Sequence, residues 1–171
     1  MSEKNVIDFY QDWIDEDIIA DLDKTRLPMR VVVENVNGDF NKASVLRSAE
    51  GFNLESFTLV GRGKMDRRGA VGTQHRLGIN KADDLDTALA PGYTTVVLDN
   101  VPGAVPITEY AFPTHVNLIV GEEQRGVSQE ALDKADAVVY IPMRGAVRSF
   151  NVASAASIAM YEYVRQTEGA V

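Results

Sequence analysis

Apolar residues along the chain follow two alternating patterns, short β-branched runs and longer stretches with helical spacing. The runs are Val31–Val33, Phe57–Val60, Thr94–Leu98, Leu118–Val120 and Val138–Ile141. Helical spacing predicts an amphipathic opening helix from about Ile7 to Leu22, with Phe9, Trp13 and Ile14 on one side and Pro28 closing the segment. Further helices are predicted over 42–52, 83–90 and 128–135, and a long one from about Asn151 to Gln166. Strands alternating with helices argue for an α/β fold, a mostly parallel sheet with helices on both faces. Ligands of such sheets bind beyond the carboxyl ends of the strands. No repeat or low-complexity linker divides the chain. It reads as an acidic helical extension over residues 1–28 followed by one domain over 29–171.

Composition narrows the class without choosing the function. The 171 residues are 45% hydrophobic and 25% charged, ordinary for one folded domain. No apolar stretch approaches the roughly 20 residues that span a bilayer. The start, MSEKNVIDFYQDW, lacks a basic-then-apolar signal layout. A cytoplasmic protein without a membrane partner is the expectation. The absence of cysteine removes disulfides, thiolate chemistry and Cys-ligated zinc. The net charge of -8 argues against nucleic acid, but it is unevenly spread. Residues 1–29 hold eight Asp/Glu against three Lys/Arg, whereas residues 61–81 hold six Lys/Arg against one Asp. That basic loop keeps a polyanionic partner open, with Arg62, Lys64, Arg67, Arg68 and Arg76 as candidate phosphate contacts. A solvated loop beside an acidic helix is the plainer reading.

Several familiar sites are missing. There is no G-x-G-x-x-G after the first strand, no G-x-x-x-x-G-K-[ST], no H-E-x-x-H and no G-x-S-x-G. The only histidines are His75 and His115, so no protein-built metal site is expected. Any chemistry falls to Arg, Asn, Glu and Ser, with a bound cofactor supplying the reactive group.

Three segments can carry it. In the first, Asn41 is placed to cap a helix on which Val45, Leu46, Ala49 and Phe52 form one stripe. Arg47 faces the opposite way, toward solvent or another chain. Alternatively, it is a surface arginine paired with Glu50 at i+3. In the second, a strand runs into Gly121-Glu122-Glu123-Gln124-Arg125-Gly126, and Ser128 can cap the next helix. Gly121 would let a ligand approach the backbone, or the glycines only make the turn. The third runs from Ile141 through Pro142, Met143 and Gly145 to Ser149, Phe150 and Asn151. It enters a helix with Val152, Ala156, Ala159 and Tyr163 on one stripe and Ala153, Met160 and Val164 on a second. Ser149 or Asn151 can cap that helix with no ligand involved.

In this order and spacing the segments resemble the SpoU family of RNA ribose 2′-O-methyltransferases, within the SPOUT superfamily. Asn41 and Arg47 match its first motif, and Gly121 to Gly126 match its G-x-E-x-x-G. Ile141 to Val152 match I-P-M-x-G-x-x-x-S-L-N-V, with Phe150 for Leu, and Ala153 stands where Ser often follows. The likeness covers about residues 29 to 166. It implies a deep C-terminal trefoil knot, an exception to unknotted folding, and a homodimer with the site at its interface. It further implies S-adenosylmethionine held by Leu98, Gly121, Ile141, Met143, Ser149 and Phe150. Ser149 and Asn151 would order the third loop, Arg47 would activate the ribose hydroxyl, and Glu123 would hold Asn41 or Arg47 in place. The substrate would be tRNA or rRNA, tRNA being favoured. Two other classes stay open: a catalytically inactive RNA-binding or assembly module of the same fold, and an ordinary doubly wound enzyme.

Overall fold

A computed structural model describes residues 5–34, 39–61, 65–122 and 125–168. Strands β1 (Leu27–Glu34), β2 (Leu54–Val60), β3 (Ile79–Ala82), β4 (Thr94–Leu98), β5 (Val105–Pro106), β6 (Val116–Val120) and β7 (Ala137–Tyr140) form one sheet. Their order is β3-β2-β1-β6-β4-β7-β5, and the pairings among them are parallel. Val31 lies opposite Phe57 on one side and Leu118 on the other. The helices are α1 (Asp15–Leu22), α2 (Asp39–Gly51), α3 (Leu85–Ala88), α4 (Gln129–Asp133) and α5 (Val152–Thr167).

Strand alternation divides the core between the two faces of the sheet. Val31, Val33, Val96, Leu118 and Val120 pack with Leu46 and Ala49 of α2 and Met160 and Tyr163 of α5. Val32, Val97 and Ile119 point the other way, to Leu85 and Ala88 of α3 and Ala131 of α4. Burial on both faces explains why the central strands read as continuous apolar runs. The predicted stripe of α5 is buried at Val152, Ala156, Ala159 and Tyr163. The Tyr163 hydroxyl, inside that core, donates to Thr114 O at 2.7 Å.

The opening segment differs from its expectation. Instead of one helix from Ile7 to Leu22, a 3-10 turn at Asp8–Tyr10 precedes α1. Ile14 is extended, and Asp15, Glu16 and Asp17 place negative charge on the first turn of α1, where the helix dipole favours it. Tyr10 folds back to donate to Asp21 Oδ2 at 2.9 Å. Ile7, Phe9 and Ile14 are left exposed, while Ile18 is buried. Two edge strands were also not foreseen. In β3 only Ile79 and Ala82 are apolar, and β5 is a two-residue strand ending in Pro106, a residue confined to edges within sheets.

Candidate functional site

The carboxyl ends of β6, β4 and β7 lie side by side and open into a cleft of about 580 Å³. Leu98, Gly121, Ile141, Met143, Ser149 and Phe150, drawn from three separate stretches of chain, all line it. Asp99, Glu122, Arg125 and Arg148 line it too, and the sequence reading had not singled them out. Such a volume suits a small organic ligand. Leu98, Ile141 and Phe150 offer apolar surface, Asp99 and Glu122 bring negative charge, and Arg125 and Arg148 bring positive charge.

One wall is a tight turn. Gly126 N donates to Glu122 O at 2.7 Å, and Glu122 N to Gly126 O at 3.2 Å. A Cβ on Gly121 would stand 2.5 Å from Gly126 O and 2.6 Å from Val127 N. Gly121 lines the cleft, as expected of a cofactor-site residue, and its missing Cβ also makes room for the turn's own backbone. Gly126 adopts a φ of 69°, and a Cβ there would collide with Asp99 Oδ2. Beyond the turn, Ser128 caps α4 by accepting from Ala131 N at 3.0 Å, as its position suggested. Two carboxylates fix the amides between turn and helix. Asp99 Oδ2 accepts from Val127 N at 3.0 Å, and Glu34 Oε2 accepts from Ser128 N at 3.0 Å. Glu34 is buried at the end of β1. An acid closing the run Val31–Val33 was the signal that could have marked it.

The first and third segments meet across the α2–α5 packing. Asn151 Nδ2 donates to Asn41 Oδ1 at 3.1 Å. The Asn151 Oδ1 caps α5, accepting from Ala153 N at 3.0 Å and Ser154 N at 3.3 Å. Asn151 therefore both caps α5 and bridges to α2. The predicted cap role of Asn41 does not hold, because α2 begins at Asp39 and Asn41 stands inside its first turn. Ser149 is exposed at the cleft.

Arg47 is exposed on α2, away from the buried Val45, Leu46 and Ala49, and does not line the cleft. Glu50, its possible i+3 partner, instead binds Arg76 Nε at 2.6 Å. Arg76 is the clear correction among the expected phosphate contacts. It is buried, paired with Glu50, and donates through Nη2 to Asn5 O at 3.2 Å. An arginine so enclosed serves the fold, and removing one partner of a buried pair costs about 3–5 kcal/mol. Arg68 is exposed and forks onto Asp66, at 3.0 Å from Nε and 2.6 Å from Nη2. These bonds hold the Asp66 carboxyl down at about 2. Arg62, Lys64, Glu123 and the Arg67 side chain lie outside the described residues.

Among the described residues, no group of three His, Cys, Asp or Glu is placed to hold a metal ion, and no helix is long and apolar enough to cross a membrane.

Residues 28–161 match the model of the SpoU rRNA Methylase family. The chain belongs to that family. Among its relatives, the tRNA (guanosine(18)-2′-O)-methyltransferase of Escherichia coli K12 is 27% identical over 149 residues. That alignment spans 83% of this chain and 65% of the relative, so the chain covers just under two thirds of that enzyme's length. The crystal structure of the A. aeolicus TrmH/SpoU tRNA modifying enzyme is similar at a TM-score of 0.80 and 25% identity, over 90% of this chain and 84% of that one. An AdoMet-bound rRNA methyltransferase from Sinorhizobium meliloti shares the fold at a TM-score of 0.74 and 24% identity, over 85% of this chain and 60% of that one. This family membership and the all-parallel sheet agree with the resemblance read from the three segments.

Proposed function

We propose that this SpoU-family chain is an S-adenosylmethionine-dependent methyltransferase acting on a ribose 2′-hydroxyl of tRNA or rRNA. The observation that carries the reading is the cleft, where six residues expected at a cofactor site converge from three loops. Its chemistry fits the cofactor: apolar walls for an adenine, and charged and polar side chains at the same cleft for the cofactor's polar end. When bound, S-adenosylmethionine supplies an electrophilic methyl group without a metal. Leu98, Ile141, Met143 and Phe150 would hold it, within the wall that the Gly121–Gly126 turn builds. Asn151 and Asn41 would keep the third loop in register with α2, and Ser149 would face the cleft mouth. Arg47 would meet the ribose oxygen. A guanidinium stays protonated, so its contribution is positive charge beside an oxygen developing negative charge.

Arg47 lies on α2 outside the cleft of its own chain, which suits a homodimer in which each copy lends Arg47 to the other. Exposed Ile158 and Tyr161 on α5 supply apolar surface for such a pairing. The C-terminal knot belongs to the same reading. Strand β7 lies between β4 and β5, and the chain then returns to pack α5 on α2, an order that a threaded segment accommodates. A tRNA is the favoured substrate, in keeping with the tRNA-modifying relatives.

The test is titration of the chain with S-adenosylmethionine, beside single-turnover methyl transfer by Arg47→Ala. Substitution at this exposed site shifts stability by about 0.5 kcal/mol or less. Losing a group that stabilises transition-state charge costs about 100- to 1,000-fold in rate. Transfer within about threefold of the parent, under 1 kcal/mol in the barrier, would show Arg47 to be a surface arginine, whereas cofactor binding without any transfer by the parent would make the chain a binding module.

A further inference from the structure

Asp99 follows β4 directly and makes three backbone connections. Its own N–H donates to Val139 O of β7 at 3.0 Å. Its Oδ1 accepts from Asn100 N at 2.7 Å and its Oδ2 from Val127 N at 3.0 Å. It presses on Gly126, where any side chain would collide with Oδ2, and it lines the cleft. One carboxylate thus ties the loop after β4 to the far end of the Gly121–Gly126 turn, and both line the same cavity. Glu34 grips the next amide, Ser128 N, from β1, so the base of the turn is fixed from two strands. The two carboxylates do different work, because Glu34 is buried under the turn whereas Asp99 faces the ligand space.

We propose that Asp99 is a positioning residue of the cofactor cleft, holding two of its lining segments, the loop after β4 and the Gly121–Gly126 turn, in register through the Asp99–Val127 bond. This inference rests on the methyltransferase reading. A charged carboxylate accepts through both oxygens, whereas an Asn side chain has one acceptor and presents N–H on its other side. Asp99→Asn therefore leaves either Asn100 N or Val127 N without an acceptor, and the turn is free to move off β4. The cleft then binds its ligand only after closing again, which lowers affinity without removing any group that touches substrate RNA.

The experiment titrates the parent and Asp99→Asn with S-adenosylmethionine and with S-adenosylhomocysteine, which lacks the sulfonium charge. Amide hydrogen exchange at Val127 and thermal melting accompany both titrations. A positioning role predicts about tenfold or greater weakening, equal for the two ligands, with faster exchange at Val127 and a melting curve close to the parent's. Weakening confined to S-adenosylmethionine would make Asp99 a direct electrostatic contact and overturn the positioning role. Faster exchange with both affinities within twofold of the parent would overturn it too, leaving only a turn tether. A second measurement needs no variant: in the parent protein, S-adenosylhomocysteine must slow exchange at Val127, and unchanged exchange on saturation would refute the coupling. If the parent binds neither ligand, the methyltransferase reading fails and this inference with it. If the parent binds both and Asp99→Asn binds equally well, this inference alone fails.

Discussion

Replacing Asn151 by Ser and by Ala separates two roles that one side chain combines. Asn151 Oδ1 takes two orphan amides at the start of α5, while Nδ2 reaches Asn41 on α2. Ser and Asn are near-equal helix caps, and losing such a cap to Ala costs about 1 kcal/mol. The bridge is an exposed neutral hydrogen bond, worth about 0.5–1 kcal/mol. Asn151→Ser should therefore cost about 0.5–1 kcal/mol, and Asn151→Ala about 1.5–2 kcal/mol. Urea unfolding measures both values, and single-turnover methyl transfer measures the consequence at the site. A seryl hydroxyl is too short to reach Asn41, so the Ser variant should stay folded and capped yet transfer at least about tenfold more slowly, roughly 1.4 kcal/mol in the barrier. Equal destabilisation by Ser and Ala would refute the separation of cap from bridge. A Ser variant with the parent's rate would refute the claim that the bridge organises the site.

Three further outcomes follow from the surface. The depressed carboxyl of Asp66 means that its bond to Arg68 is intact above the ordinary carboxylate range and is lost as pH falls toward about 2. An NMR titration should place its midpoint there, and a midpoint near 4, the ordinary value, would contradict the fork. With that pairing removed, Asp66→Asn frees one cation, so RNA affinity should rise and its salt dependence should steepen by about one ion; unchanged binding would place the phosphate contacts elsewhere. If the exposed α5 face pairs two copies, the contact should bury on the order of 1,600 Å². Replacing Ile158 and Tyr161 together by Glu should then convert the sedimenting species from dimer to monomer, and a parent protein that sediments as a monomer at micromolar concentration would contradict the shared site.

Most of the fold was legible because the central strands and α5 are buried in ways that leave a period in the sequence. Val31–Val33, Leu118–Val120 and the α5 stripe each read as what they are. The opening segment was misread because Phe9, Trp13 and Ile14 imitate a buried helical face. Phe9 and Trp13 instead stack around Tyr10, with ring centroids 5.0 Å and 5.4 Å from it, and Ile14 is exposed. At the site, the three loops were recognisable from their glycines, prolines and polar helix entries. The partners that fix them were not. Glu34 and Asp99 act on amides 94 and 28 residues away, a separation that no local pattern records. Arg76 failed for the complementary reason: a charge count over a loop cannot tell a solvated cation from one folded inward onto Glu50.

The strand order also governs how the molecule can assemble in time. Strand β6 enters the sheet between β1 and β4, and β7 inserts between β4 and β5. Val31 therefore meets Leu118 and Val96 meets Ala137 only after long intervening stretches have closed. Such distant pairings pay their loop entropy before any contact rewards it, so folding is slow and leaves strand edges open for longer. The cleft shares that schedule. Its walls come from the ends of β4, β6 and β7 and from the mouth of α5, so the cleft is complete only once all of these have packed together. A ligand of the native cleft would therefore stabilise the finished molecule by mass action without drawing an early intermediate forward.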